Sequence, residues 1–101
     1  MSEWNNNEVV ASAFEALHGI KPELSVRRLD KQNIQSKLTL GDKVVILTER
    51  LERGLTKEAI MEYNGEKFSF KRVIDAERAA AAIIDSGVKP IIKEIDASNV
   101  R

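Results

Sequence analysis

The sequence has no cysteine at all, only two prolines, five glycines, one histidine and one tryptophan. Without cysteine there is no thiol nucleophile, no CxxC redox pair, no Cys-ligated zinc or iron–sulfur cluster and no disulfide scaffold. That weakly favours a reducing compartment. So few glycines and prolines exclude collagen-like and low-complexity organisation. Long apolar runs are missing too. The longest is Ala79–Ile84, far short of the roughly 20 residues that span a bilayer. The start of the chain lacks a basic region followed by an apolar one, so no signal peptide is expected, and there is no Asn-x-Ser/Thr sequon. The expected location is the cytoplasm, with no membrane partner.

What is present is an ordinary domain's worth of apolar and charged residues. The 101 residues are 43% hydrophobic and 32% charged, a balance that fits one compact domain rather than a disordered chain. Sixteen Lys and Arg offset sixteen Asp and Glu. The neutrality is a cancellation of segments. Residues 1–23 carry one positive and four negative groups, 24–45 five and two, 46–66 three and five, and 67–101 seven and five. Zero net charge argues against strong nonspecific phosphate binding. Segmented charge suits an oriented contact with another protein surface.

Residues 1–6 read as a flexible polar arm on a single domain spanning 1–101. Asn7 is a good helix N-cap, Val10, Phe14 and Leu17 recur at helical spacing, and Gly19 then Pro22 stop the run. This predicts a helix over Glu8–His18. Leu24-Ser25-Val26-Arg27 reads as a short strand. Ile34, Ser36, Leu38 and Leu40 alternate with polar residues, the pattern of a half-buried strand. Gly41-Asp42 forms a two-residue turn. Val44-Val45-Ile46-Leu47 is apolar on both faces, as a strand inside a sheet is. Glu49–Gly54 reads as a charged exit ending in a glycine turn.

Leu55–Val73 has two readings. Asn64-Gly65 is a strong hairpin signal. Folding about it sets Met61 opposite Phe68 and Ala59 opposite Phe70 on one face, and Glu62 opposite Lys67 and Glu58 opposite Lys71 on the other. The rival is a helix over Thr56–Tyr63 with Thr56 as its cap and Gly65 as its stop. The hairpin is preferred, because the helix would place Glu58 and Glu62 at i,i+4 in repulsion. Asp75 can cap a second helix over Ala76–Ser86, stopped by Gly87. Val88–Ile95 then reads as a last strand, beginning at Pro90 or lying at an edge. The expected class is α+β: an antiparallel β-meander of about five to six strands, an N-terminal helix, and a second helix before the last strand.

Candidate chemistry is sparse. His18 lacks a second His or Cys for catalysis or metal binding, and its place at a helix C-terminus gives it a structural use. Glu49, Glu52, Glu58, Glu62 and Glu66 alternate with Arg50, Arg53 and Lys57, as on a solvated face. No phosphate-binding glycine loop, nucleophile elbow or EF-hand spacing occurs. Neither an enzyme nor a cofactor or metal is expected.

Two binding readings follow. Trp4 can fold back as an anchor or contact a partner, and Ile91, Ile92 and Ile95 on the last strand offer an unpaired apolar edge. These four are the candidate protein contacts, with another protein or a second copy of the chain (a homodimer) as the partner. The alternative partner is nucleic acid. Arg27, Arg28 and Lys31 would join the interleaved Lys67, Phe68, Phe70, Lys71 and Arg72, a strand that resembles the stacking strand of an RNA-recognition sheet but lacks its glycines and its strand–helix order. Against that, a chain with three phenylalanines rarely exposes two, which favours a core role for Phe68 and Phe70. A third class, a small-ligand binder or enzyme, would need a pocket with convergent polar groups.

Overall fold

The computed structural model describes residues 3–87. Helix α1 spans Glu8–His18, as its spacing predicts. The Asn7 side-chain oxygen accepts the backbone N–H of Val10 at 3.0 Å, and Gly19, at φ 81°, donates its N–H to the Glu15 carbonyl at 2.8 Å. Both ends are thus closed by the residues best able to close them.

Six strands follow chain order across one antiparallel sheet: β1 Asn5–Asn6, β2 Glu23–Arg28, β3 Asn33–Leu40, β4 Lys43–Glu52, β5 Leu55–Tyr63 and β6 Glu66–Phe70. Three of the links are two-residue turns, Gly41-Asp42, Arg53-Gly54 and Asn64-Gly65. Asn64 and Gly65 both have positive φ, 52° and 82°, as a type I′ hairpin requires. The register about this turn puts Met61 on Phe68, Ala59 on Phe70 and Glu62 on Lys67. Thr56–Tyr63 is therefore strand. The expected pairing of Glu58 with Lys71 does not form, because β6 ends at Phe70. Glu58 instead accepts from the Ser69 hydroxyl at 2.7 Å and lies 3.6 Å from Arg50.

Other expectations shift at their ends. Asn5 and Asn6, assigned to the loose arm, pair with Val26 and Ser25 as β1. The charged exit at Glu49–Gly54 is strand as far as Glu52, because β3 and β5 pair with it from the two sides; Arg50 and Glu52 share one face and lie 3.5 Å apart. Helix α2 runs Val73–Ser86, one turn earlier than Asp75 suggests. Asp75 sits inside its first turn and receives the Arg72 guanidinium in a fork at 3.0 and 3.1 Å, an arrangement that favours the helix start electrostatically. The strand expected over Val88–Ile95 lies outside the described residues; within them α2 follows all six strands.

Alternation decides which face is buried. Leu24, Leu38 and Val45 form one cross-strand row, and Leu47, Met61 and Phe68 continue the next. All six are buried on the same side, with Ala11 and Phe14 of α1 and Ala76, Ala80, Ile83 and Ile84 of α2 above them. Helix α1 packs on β2, and α2 packs on β4, β5 and β6. Among the described residues the opposite face carries no helix. It presents Arg27, Gln35, Lys37, Thr48, Ile46, Ile60 and Glu62.

The Arg53-Gly54 turn departs from the local rule. Both residues are left-handed, φ 55° and 80°, yet the first is arginine where the neighbouring hairpin has asparagine. A left-handed L-residue other than Gly, Asn or Asp costs roughly 1 kcal/mol. Arg53→Asn is expected to raise stability by about 1 kcal/mol, or roughly 4–8 °C in Tm for a domain near this size. A thermal melt in which the variant is no more stable than the parent would show that the arginine side chain offsets its own backbone strain.

Candidate functional site

Helix α1 is apolar over far more of its circumference than the core covers. Ala11 and Phe14 point to the sheet, and the His18 ring joins them, its centroid 4.6 Å from that of Phe14 and its side chain only 5% exposed. Val10, Ala13 and Leu17 extend the same apolar arc sideways, and Val9 extends it outward. Val9 is 79% exposed and Leu17 65%. An amphipathic helix docked on one partner normally exposes its polar side; this one also exposes a run of aliphatic residues.

The reason lies in the layer above the sheet. With α1 over β2 and α2 over β4–β6, strand β3 runs beneath the gap between them. A crevice of about 400 Å³, counting its open mouth, follows that gap. Val10, Ala13 and Leu17 form one wall and Glu77 of α2 the other; Ser36, Leu38 and Leu47 make the floor, with Glu49 at one end. Among the described residues no lysine or arginine lines it. The two carboxylates are positioned from different elements. Glu77 Oε1 is 3.1 Å from His18 Nε2, a contact that ties the end of α1 to α2. Glu49 Oε1 accepts the Thr56 hydroxyl at 2.9 Å across the β4–β5 ladder. The crevice is therefore an apolar slot with negative charge at its margin. Among the described residues no three His, Asp or Glu side chains gather as a metal site.

The residues singled out from sequence fall elsewhere. Phe68 is buried in the core and Phe70 packs against that core, the role that the small number of phenylalanines favours, so these rings make no wet stacking platform. Strand alternation turns them under α2, while Lys67 faces the opposite side beside Glu62. Lys71 and Arg72 link β6 to α2, where Arg72 is held by Asp75, and the hydrogen bonding it donates to that carboxylate pushes the guanidinium pKa up. Arg28 is exposed at the end of β2. Lys31 is exposed in the β2–β3 loop, which Asp30 organises by accepting the backbone N–H groups of Gln32 and Asn33 at 2.7 and 2.8 Å. Those backbone bonds, with the Asn33 amide, hold the Asp30 carboxyl below its usual pKa.

Trp4 does fold back. Its ring lies on the helix-free face, 4.3 Å from the Arg27 guanidinium carbon and 4.9 Å from Lys37 Nζ, within cation–π range. Arg27 also donates to Gln35 at 2.8 Å, and Gln35 donates on to Thr48 at 3.0 Å. Ile91, Ile92 and Ile95 lie outside the described residues. Of the nucleic-acid set, then, Arg27 and Lys67 share the open face with Trp4, whereas Phe68 and Phe70 are on the other side of the sheet.

Sequence reading missed Val9, Leu17 and Glu77 as surface features. The width of α1's apolar arc was visible in the sequence, but it reads equally as a deeply buried helix. No helix among the described residues is long and apolar enough to cross a membrane. Comparison with protein-family models, curated proteins and solved structures gives no match.

Proposed function

We propose that this chain is a non-catalytic protein-binding module that engages another protein through the flank of α1 and the crevice beside it. One observation carries the reading: Val9 and Leu17 stay largely exposed on a helix whose apolar arc continues, through Val10 and Ala13, into the crevice. Contiguous exposed aliphatic surface of this kind marks interaction sites, and a helix flank with a groove beside it is a common way to seat a partner. The carboxylates at the margin add orientation, since charge at a rim steers and selects more than it binds. A nucleic-acid role would have to use the open face around Trp4 without the phenylalanine platform, and is the weaker reading.

A photo-reactive amino acid at exposed Ala13 tests this. Irradiation in cell extract is expected to give a protein adduct, and Leu17→Glu is expected to abolish it. Because Leu17 is a surface position, the same substitution should move stability by no more than about 0.5 kcal/mol. Absence of any protein adduct, or an adduct insensitive to Leu17→Glu, would overturn the reading.

A further inference from the structure

Strand order equals chain order in this sheet, so charge segregated along the sequence becomes charge segregated across a surface. Residues 24–45, with five positive groups against two negative, supply β2 and β3; residues 46–66, with three against five, supply most of β4 and all of β5. The helix-free face shows the division in one cross-strand row. Lys37 pairs with Ile46, and Ile46 pairs with Glu62, which sets a cation, an aliphatic side chain and a carboxylate side by side. Among the described residues neither Lys37 nor Glu62 has an ion-pair partner in its own chain. Alternation puts Val44 and Thr48 on the same face as Ile46, and Ile60 pairs with Thr48. Val44 is 43% exposed. Arg27, beside Trp4, reinforces the basic side. Arg50, on β4 itself, is offset within its own chain by Glu52 at 3.5 Å and Glu58 at 3.6 Å.

We infer that this face docks on the same face of a second copy of the chain, about a two-fold axis that lies in the interface along β4. Such an axis exchanges the two sides of the sheet. It sets Ile46 against its own counterpart and lays Lys37 of each chain over Glu62 of the other. Charge that is unpaired in one chain is thus paired twice in two. Sheets packed face to face keep their strands within about 30° and lie about 10 Å apart, a spacing at which these side chains meet. The contact is isologous and closed. At about 4.8 Å between strands and about 3.3 Å per residue, β2–β6 make a face of roughly 24 × 20 Å. Two such faces bury on the order of 1,000 Å², the small end of specific interfaces, so the dimer is a weak one, with a dissociation constant on the order of 10 μM. The surface lies across the sheet from the crevice. Self-association therefore leaves the α1 flank free and does not rest on the protein-binding reading above.

Charge exchange tests the pairing, since both side chains lie on the surface and neither serves the core. Lys37→Glu brings carboxylates together at both ends of the row, and Glu62→Lys brings ammonium groups together. Each alone is expected to weaken the dimer roughly thirtyfold in sedimentation. Lys37→Glu/Glu62→Lys in one chain is expected to recover parental affinity, because both contacts are again opposite in sign. An equimolar mixture of the two single variants is expected to recover it as a heterodimer. A second arm is independent of charge. The chain has no cysteine, so Ile46→Cys reports only the engineered thiol. A thiol-reactive linker of about 10 Å, the spacing of packed sheets, is expected to join two Ile46→Cys chains at least about tenfold faster than two Ala82→Cys chains, whose position is exposed on α2. A parent that stays monomeric near millimolar concentration overturns the inference, whatever else covers this face. Single exchanges without effect, a double exchange that fails to recover, or cross-linking no faster than the control overturn it equally.

Discussion

Phe68→Ala is expected to cost about 3–5 kcal/mol, the range for deleting a buried aromatic side chain. The ring is buried on β6 beneath α2, opposite fully buried Met61. Its removal leaves space that neither neighbour can fill without moving the helix. Against a typical domain stability of about 5–15 kcal/mol, the loss is large enough to bring the protein near unfolding. Phe70→Ala should cost less, since that ring is only half-buried at the margin of the same core. Urea unfolding of the two variants checks both the size and the order. Near-parental stability for Phe68→Ala, with weakened binding to single-stranded RNA, would mean the ring is wet and the core assignment wrong.

Ala80→Leu is expected to destabilise by about 1–3 kcal/mol, by overfilling rather than emptying. Ala76 and Ala80 have no exposed surface at all. They allow α2 to lie close on β4, β5 and β6, and a larger side chain must either leave its rotamer or lift the helix. Lifting the helix would also draw Glu77 away from His18 and so change the wall of the crevice. The control is Ala82→Leu on the exposed side of the same helix, which should stay within about 0.5 kcal/mol. At about 4–8 °C per kcal/mol for a domain near this size, thermal melts separate the two easily. Equal melting temperatures would show that the small-residue face is not what sets the helix-to-sheet distance.

Local signals in the sequence were decisive where one or two residues determine the backbone. Asn7 and Gly19 bound α1 correctly, and Asn64-Gly65 fixed both the β5–β6 turn and its register. They were weaker where the ladder, not the residue type, sets the limit. The charged run at Glu49–Glu52 looks like a loop because alternation of acid and base resembles a solvated coil, yet β3 and β5 pair with it on both sides. Asp75 looks like a cap because aspartate often is one; the partner it takes is Arg72, and α2 begins earlier. The crevice was not legible for a different reason. Whether Leu17 is core or surface depends on where α2 comes to rest. The contact that joins the two helices links His18 to Glu77, 59 positions apart in the chain, and no local pattern encodes such a meeting. The open face was half legible: alternation in β3 sets Gln35 and Lys37 opposite buried Leu38, and the hairpin register sets Glu62 beside Lys67, but the return of Trp4 over Arg27 and Lys37 depends on β1, too short to see.

The meander also bears on how the chain reaches this structure. From β2 onward every strand pairs with the one made immediately before it, and three of the four links are two residues long. Closing such short loops takes little chain entropy. Relative contact order is accordingly low for a protein so rich in sheet, which places folding toward the fast end for β-containing domains. The sheet can be laid down hairpin by hairpin as the chain lengthens. Among the described elements α2 comes last in the chain, and its packing over β4, β5 and β6 defines the space left beside α1.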